Sequence, residues 1–258
     1  MIKCENLYKL FGGETASLAA YDKSSGIKNI NLQFEQGVIY GVIGYNGAGK
    51  TTLFNCIEGI YSPTSGSVTH SGIKTTDDKE FASRRGKIAF LPSDEYLYPS
   101  LTCMENIELA SILKTGKNKL ETKTDDLIRY FEIDKYKDKL FKECSSGMKK
   151  KTQMVISLLG DIDTIIWDEP NNGLDIASNM KIKNLLKYYK SKNTAIIFSS
   201  HVIEFLDNFI DICVMLHEGE VVFTDEMKNI GSLEEIFKKN IPENVELTPR
   251  CLETKFPE

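Results

Sequence analysis

The stretch "GYNGAGKTT", Gly44 to Thr52, decides how this 258-residue chain folds. Its spacing is Gly44-x-x-x-x-Gly49-Lys50-Thr51, in which glycines let the backbone curl until several N–H groups point inward at a phosphate. A helix directly after the loop adds its positive N-terminal end to the same concavity. The preceding segment, Ile27 to Gly44 ("IKNINLQFEQGVIYGVIG"), alternates and then turns continuously apolar. That pattern predicts a half-exposed strand, a turn at Gly37 and a buried strand running into the loop. Beyond Lys50, the residues Leu53, Ile57 and Ile60 recur at helical spacing. Gly44, Asn46, Gly47, Ala48, Gly49, Lys50, Thr51 and Thr52 are therefore the expected nucleotide contacts. Lys50 is expected to reach the β- and γ-phosphates of the nucleotide, and the Thr51 hydroxyl to ligate Mg²⁺.

Such a loop needs an acidic element to complete its metal site. "TIIWDEP" supplies one, an apolar strand ending in Asp168 and Glu169. Asp168 at the strand tip is expected to hold Mg²⁺ through water, and Glu169 to polarise an attacking water beside the γ-phosphate. His201 follows "TAIIFSS" in the same manner, and strand tips of one sheet gather on the edge where ligands bind. His70 and His217 read as structural.

Outward from these motifs, "GSVTHSG" reads as a hairpin arm and "KIAFLPS" as a short strand. From about Leu101 to Lys142, helical periodicity takes over in "MENIELASIL" and "TDDLIRYFEIDKYKDKL". β/α alternation resumes with "DTIIWDEP", a helix from about Ala177 to Lys190, and the strands "TAIIFSS", "DICVMLHEG" and "EVVFTD". The helix-forming "SLEEIFKKN" precedes a polar end containing Pro242, Pro249 and Pro257. The expected fold is α/β: a buried, mostly parallel phosphate-loop sheet, with an antiparallel β subdomain and an inserted α-helical one.

Composition bounds the rest. A net charge of -5 without a dense basic stripe argues against a nucleic-acid partner, and Lys149-Lys150-Lys151 reads as a solvated helix face. The six cysteines are scattered without a C-x-x-C pair, as expected of reduced thiols in the cytosol. The N-terminal sequence has no charged start followed by an apolar run, and no apolar stretch approaches the ~18–20 residues that cross a bilayer. If the protein works at a membrane, another chain crosses it.

Between the phosphate loop and "WDEP" lies "CSSGMKKK", Cys144 to Lys151, ahead of an apolar helix. With these motifs in this order, the sequence resembles an ATP-binding cassette (ABC) ATPase subunit of an exporter-type transporter, ABC-2-like in its signature. The resemblance runs from about residue 2 to 238. It implies a cassette over 1–238, with its core at about 1–92 and 152–225, a helical insert at about 95–151, and a tail over 239–258. Ser145 and Gly147 match the serine and second glycine of the family's "LSGGQ" signature, which meets ATP held by a second subunit. Cys144, Ser146 and Met148 depart from it. "NNGLD" places Asp175 at the dimer interface, and His201 matches the histidine that contacts the γ-phosphate. Phe11 stands where an aromatic stacks on adenine, with Tyr8 and Tyr21 as alternatives. Ser93 occupies the position of a glutamine that touches metal and water and marks the hinge to the helical lobe.

The function implied is ATP hydrolysis coupled to transport, export more than import, through a separate permease and a second cassette subunit, most simply a second copy of this chain. The location implied is the cytoplasmic face of the cell membrane, with Ser93 to Leu101 ("EYLYPSL" included) as the docking face. Two other readings stand beside it: a soluble, non-transport ABC ATPase, and a nucleotide-dependent regulatory module that hydrolyses weakly.

Overall fold

The computed structural model describes residues 1–11, 26–116 and 120–240. Strand β1 (Ile2–Leu10) pairs antiparallel with β2 (Gly26–Phe34), and a turn at Gly37 leads to β3 (Ile39–Ile43) and helix α1 (Lys50–Glu58). A hairpin of β4 (Ser65–His70) and β5 (Ile73–Lys74) precedes α2 (Asp78–Arg85) and β6 (Ile88–Leu91). The chain then forms α3 (Cys103–Thr115), α4 (Thr122–Tyr130) and α5 (Ser146–Ser157). It returns through β7 (Thr164–Trp167), α6 (Ile176–Ser191), β8 (Ala195–Ser199) and the short α7 (Ile203–Leu206). Strands β9 (Ile212–His217) and β10 (Glu220–Glu226) and helix α8 (Leu233–Asn240) follow.

Two sheets result, one in the order β10-β9-β3-β8-β7-β6 and one in the order β2-β1-β4-β5. The first is parallel except for β10, and the second is antiparallel throughout. The expected α/β phosphate-loop fold with its antiparallel sheet and helical insertion is therefore the fold observed. Every residue of β3, β7 and β8 is buried, because both faces of the parallel sheet are covered, whereas edge strand β10 alternates strictly. The pleat sends alternate side chains to two cores. Ile39, Ile165, Trp167, Ile196 and Phe198 join α5, α6 and the helical lobe on one face. Tyr40, Val42, Ile166 and Ile197 join α1 and the antiparallel sheet on the other.

Two helices stop earlier than their apolar spacing suggests. Helix α1 ends at Glu58 because Gly59 adopts φ 77 and donates its N–H back to the carbonyls of Asn55 and Cys56, leaving Ile60 55% exposed outside it. Helix α4 ends at Tyr130, and Glu132 takes φ 60. A continued helix would turn Ile133 away from the face carrying Leu127 and Phe131. The left-handed step brings Ile133 into the same core, where it and Phe131 are fully buried. Thr102 and Glu105 cap α3 reciprocally, a box worth about 1 kcal/mol. The end of the chain, with Cys251, lies outside the described residues, and the other five cysteines are buried free thiols.

His70 is fully buried at the end of β4, where its Nε2–H donates to the Ile57 carbonyl at 2.8 Å. Burial, aided by the charge of Arg84, lowers its pKa from 6.5 to about 4. The unfolded chain therefore binds more protons between these values, so stability falls as the pH drops from 6.5 to 4. The expected loss is on the order of 3 kcal/mol, read by urea unfolding at stepped pH. In His70→Leu that fall should be absent, whatever its effect on stability at neutral pH.

Candidate active site

Strands β3, β8 and β7 are adjacent and parallel, so their C-terminal ends deliver three segments to one edge. The glycine-rich loop arrives from β3, Asp168 and Glu169 from β7, and Ser199 to His201 from β8. Gly49 closes the loop at φ 103, where a Cβ would come within 2.7 Å of Ile27 Cγ2. The turn between β9 and β10 props the loop from outside, Gly219 N–H donating to Ala48 O at 3.1 Å. Lys50 is 6% exposed and folds back over the loop, its Nζ donating to Gly44 O (2.7 Å) and Tyr45 O (3.2 Å). Burial lowers its pKa, against the opposing pull of Glu169 and Asp168.

Asp168 is 1% exposed, yet both its carboxylate oxygens are satisfied. One accepts from Thr51 Oγ1 at 2.5 Å and the other from Ser199 Oγ. Ser199 Oγ in turn accepts from the N–H of Glu169 at 2.9 Å. Glu169 adopts φ 48, a left-handed conformation that costs a β-carbon residue about 1 kcal/mol or more. The bend turns the chain sharply off β7, and Asn172 Nδ2 (2.5 Å) and His201 Nδ1 (3.4 Å) flank its carboxylate. Glu169 lines both a cleft of about 190 Å³ around residues 46–52 and a neighbouring one of about 640 Å³ that includes His201. The paired Thr51 hydroxyl and Asp168 carboxylate are hard oxygen donors. They suit Mg²⁺, which is held through one or two carboxylates plus phosphates and water instead of an all-protein cage.

The remaining expected residues lie elsewhere. Ser145 caps α5, accepting from Met148 N at 3.3 Å, and is exposed. Gly147 sits so close to "NNGLD" that a Cβ would come within 3.0 Å of Gly173 O. Asp175 caps α6 through Ser178 N at 2.6 Å. Neither Ser145, Gly147 nor Asp175 lines the two clefts at Lys50 and Glu169. Phe11 packs edge-on against Tyr61, with ring centroids 5.5 Å apart. Tyr8 pairs with Ser65 across β1 and β4, and Tyr21 lies outside the described residues. Ser93 is exposed, and its carbonyl accepts from Lys150 Nζ at 3.2 Å.

The profile of the family described as ABC transporter matches residues 27–172. The chain belongs to that family. It is an ATP-binding cassette subunit and an ATPase. This cassette is 31% identical over 235 residues to the bacitracin transport ATP-binding protein BcrA of Enterococcus faecalis, covering 90% of this chain and 70% of that one. It is 28% identical over 203 residues to the SkfA peptide export ATP-binding protein SkfE of Bacillus subtilis, covering 78% and 83%. A solved structure, the dimeric post-hydrolysis state of the ATP-binding cassette MJ0796 bound to ADP and Pi, matches with a TM-score of 0.77. Its identity is 26%, and the match covers 88% of this chain and 99% of that one.

Three features of the cassette's site escape motif reading. Ser199 bridges Asp168 and the Glu169 backbone, and its signal was a hydroxyl at the end of a buried strand beside β7. Asn172 reaches back to Glu169 within "NNGLD". Tyr45, in the loop, packs on Phe237 of α8 with centroids 5.1 Å apart, which no local pattern signals. Ser199→Ala removes the bridge while leaving Lys50 and Thr51 untouched. Steady-state kinetics should show kcat down about 10-fold or more, with KM for ATP within about threefold of wild type.

Proposed function

We propose that this cassette drives export through a separate membrane permease, as a dimer whose two ATP sites are each completed by the partner's signature segment. The observation that carries this reading is the separation just described. Ser145 and Gly147 stand at an exposed helix N-terminus, a natural anion site, but line neither of the clefts that Lys50 and Glu169 line in the same chain. A second copy, facing the first, supplies what each site lacks. Gly147 packs against Gly173, two residues before Asp175, and Ile176 (81%) and Met180 (61%) are exposed on the helix that Asp175 caps, offering surface for that contact. The dimeric state of the MJ0796 cassette and the peptide-export role in SkfE's name support dimerisation and direction, respectively.

In this reading Lys50 and the loop's N–H groups hold the β- and γ-phosphates. Thr51 and Asp168 would hold Mg²⁺, whose charge would offset that of the phosphates. Glu169 accepts the proton of the attacking water, steadied by Asn172 and by His201. His201 is half exposed, which leaves it free to meet the γ-phosphate as well. Ser199 keeps Asp168 and Glu169 in register. Loss of the γ-phosphate removes the contacts that Ser145 makes across the dimer, and the sandwich loosens. We place Phe11 at the adenine and divide the chain into the core and helical insert named above, although α5 runs through the boundary at 151 and joins the two mechanically.

Among the described residues no helix is long and apolar enough to cross a membrane, which agrees with a permease on a separate chain and a cassette on its cytoplasmic face. We place the permease contact on a groove of about 490 Å³ lined by Phe90, Tyr96, Leu113 and Ile156, next to Tyr98 in the segment 93–101. Leu113 is 75% exposed and Tyr98 58%. Glu58, in the groove with Arg85 and Lys114, is pushed up by burial to a pKa of about 8, against the pull of those two cations.

Two outcomes test this. Glu169→Gln should lower ATPase kcat by about 100-fold or more, and sedimentation should show it shifting from monomer to dimer on adding ATP. A monomer at saturating ATP, or full turnover, would count against the reading. Leu113→Asp should release the cassette from permease-containing membranes in a pelleting assay, with the isolated cassette's ATPase rate within about twofold of wild type.

A further inference from the structure

Lys150 lies on α5, one turn and a half inside the helix from Ser145, and is only 8% exposed. A buried ammonium is costly unless it is paired. Yet its hydrogen bond is to a neutral group, the Ser93 carbonyl at 3.2 Å. The position of that carbonyl explains the arrangement. Leu91 and Trp167 are register partners in the adjacent parallel strands β6 and β7, and Asp168 N–H donates to Leu91 O at 2.8 Å. Ser93 stands two residues past Leu91, so the chain that Lys150 holds emerges beside Asp168 and Glu169. Those two carboxylates, followed by Asp94 and Glu95, oppose the desolvation that lowers the pKa of Lys150.

Holding the 93–95 segment does not by itself require a buried charge. Gln153 of α5 already donates to Asp94 O at 3.0 Å, and Lys149 pairs with Glu95 at 2.9 Å. Both are on the same helix and flank Lys150. What Lys150 adds is a bond to Ser93 itself, the held position nearest the end of β6 beside Asp168, made from the helix whose first residues present Ser145.

We propose that Lys150 is a positioning residue of the ATPase reaction, its buried ammonium holding the Ser93 carbonyl, and with it the signature helix, against the strand tip that carries Asp168 and Glu169. Nucleotide binding at that strand tip displaces the segment that Ser93 begins. Because Lys150 is anchored in α5, the helical lobe then responds through one side chain as well as through packing. The proposal rests on reading Asp168 and Glu169 as the catalytic carboxylates.

The test compares Lys150→Met, which keeps the length and removes the charge, with Lys150→Arg, which keeps the charge. ATP turnover, thermal unfolding and amide hydrogen exchange over residues 93–98 are measured on each and on wild type, with and without Mg-ATP. Exchange over 93–98 should change at least about threefold on adding Mg-ATP in wild type and Lys150→Arg, and not in Lys150→Met. Lys150→Met should lose about 10-fold or more in kcat with KM for ATP within about threefold. Its melting temperature should be unchanged or raised, since an apolar chain of similar volume replaces a buried charge. Wild-type turnover in Lys150→Met would overturn the proposal, as would a nucleotide-insensitive 93–98 segment in wild type. Full turnover in Glu169→Gln would instead refute the assignment of the catalytic carboxylate, and the wild-type exchange measurement would still judge Lys150 on its own.

Discussion

Asp168 is the constraint around which this site is organised. A carboxylate buried to 1% exposure is stable only if its oxygens are matched, and here one is bonded to Thr51 and the other to Ser199. Each partner comes from a different element: Thr51 from the first turn of α1, Ser199 from the end of β8, and Asp168 from the end of β7. Satisfying one side chain therefore fixes three chain segments relative to each other. The same Ser199 hydroxyl accepts the Glu169 N–H, so the strained backbone at Glu169 is held by the network that satisfies Asp168. The start of α1 after the glycine-rich loop, the Asp168 carboxylate and the Glu169 backbone are thus parts of one hydrogen-bonded unit.

A second constraint comes from having one parallel sheet covered on both faces. The alternation in β3, β7, β8 and β9 divides their side chains between two cores, one shared with the antiparallel sheet and α1, the other with α5, α6 and the helical lobe. The nucleotide-facing edge is therefore gripped from both sides. The lobe is joined to that edge through α5, whose Trp167-facing side packs in the core while its N-terminus carries Ser145. Trp167 Nε1 donates to Ser157 Oγ at 3.2 Å, tying the far end of α5 to β7. In our reading of Ser145, this helix links the core to the surface that meets the second cassette.

The surface tells a complementary story. Ile176, Met180, Tyr98 and Leu113 are large apolar side chains left exposed, and they fall into two regions, one beside Asp175 and one beside the Tyr96 groove. Scattered exposed apolar residues need no explanation, but patches beside functional segments do. In our reading the first meets a second cassette and the second meets the permease, which separates the surface that responds to ATP from the one that transmits the response.

The chain's own pattern determined much of this. Glycine spacing, a buried strand before it and a helix after it specify a phosphate loop, because the backbone geometry needed is local. Apolar strands tipped with Asp168 and His201 announce a sheet edge for the same reason. Local periodicity failed for two different reasons: α4 stops at Tyr130 and Ile133 reaches the core, whereas α1 stops because the left-handed Gly59 caps it and leaves Ile60 exposed. Lys150 read as part of a solvated lysine run, yet it is buried, because periodicity shows which residues share a helix face but not what the face meets. Ser199, Asn172 and Phe237 gained their places through contacts that depend on how strands and helices stack. The order β3-β8-β7, which brings Ser199 between the loop and Asp168, is decided only by tertiary structure, since strand neighbours follow from how both faces of the sheet are buried and not from order along the chain.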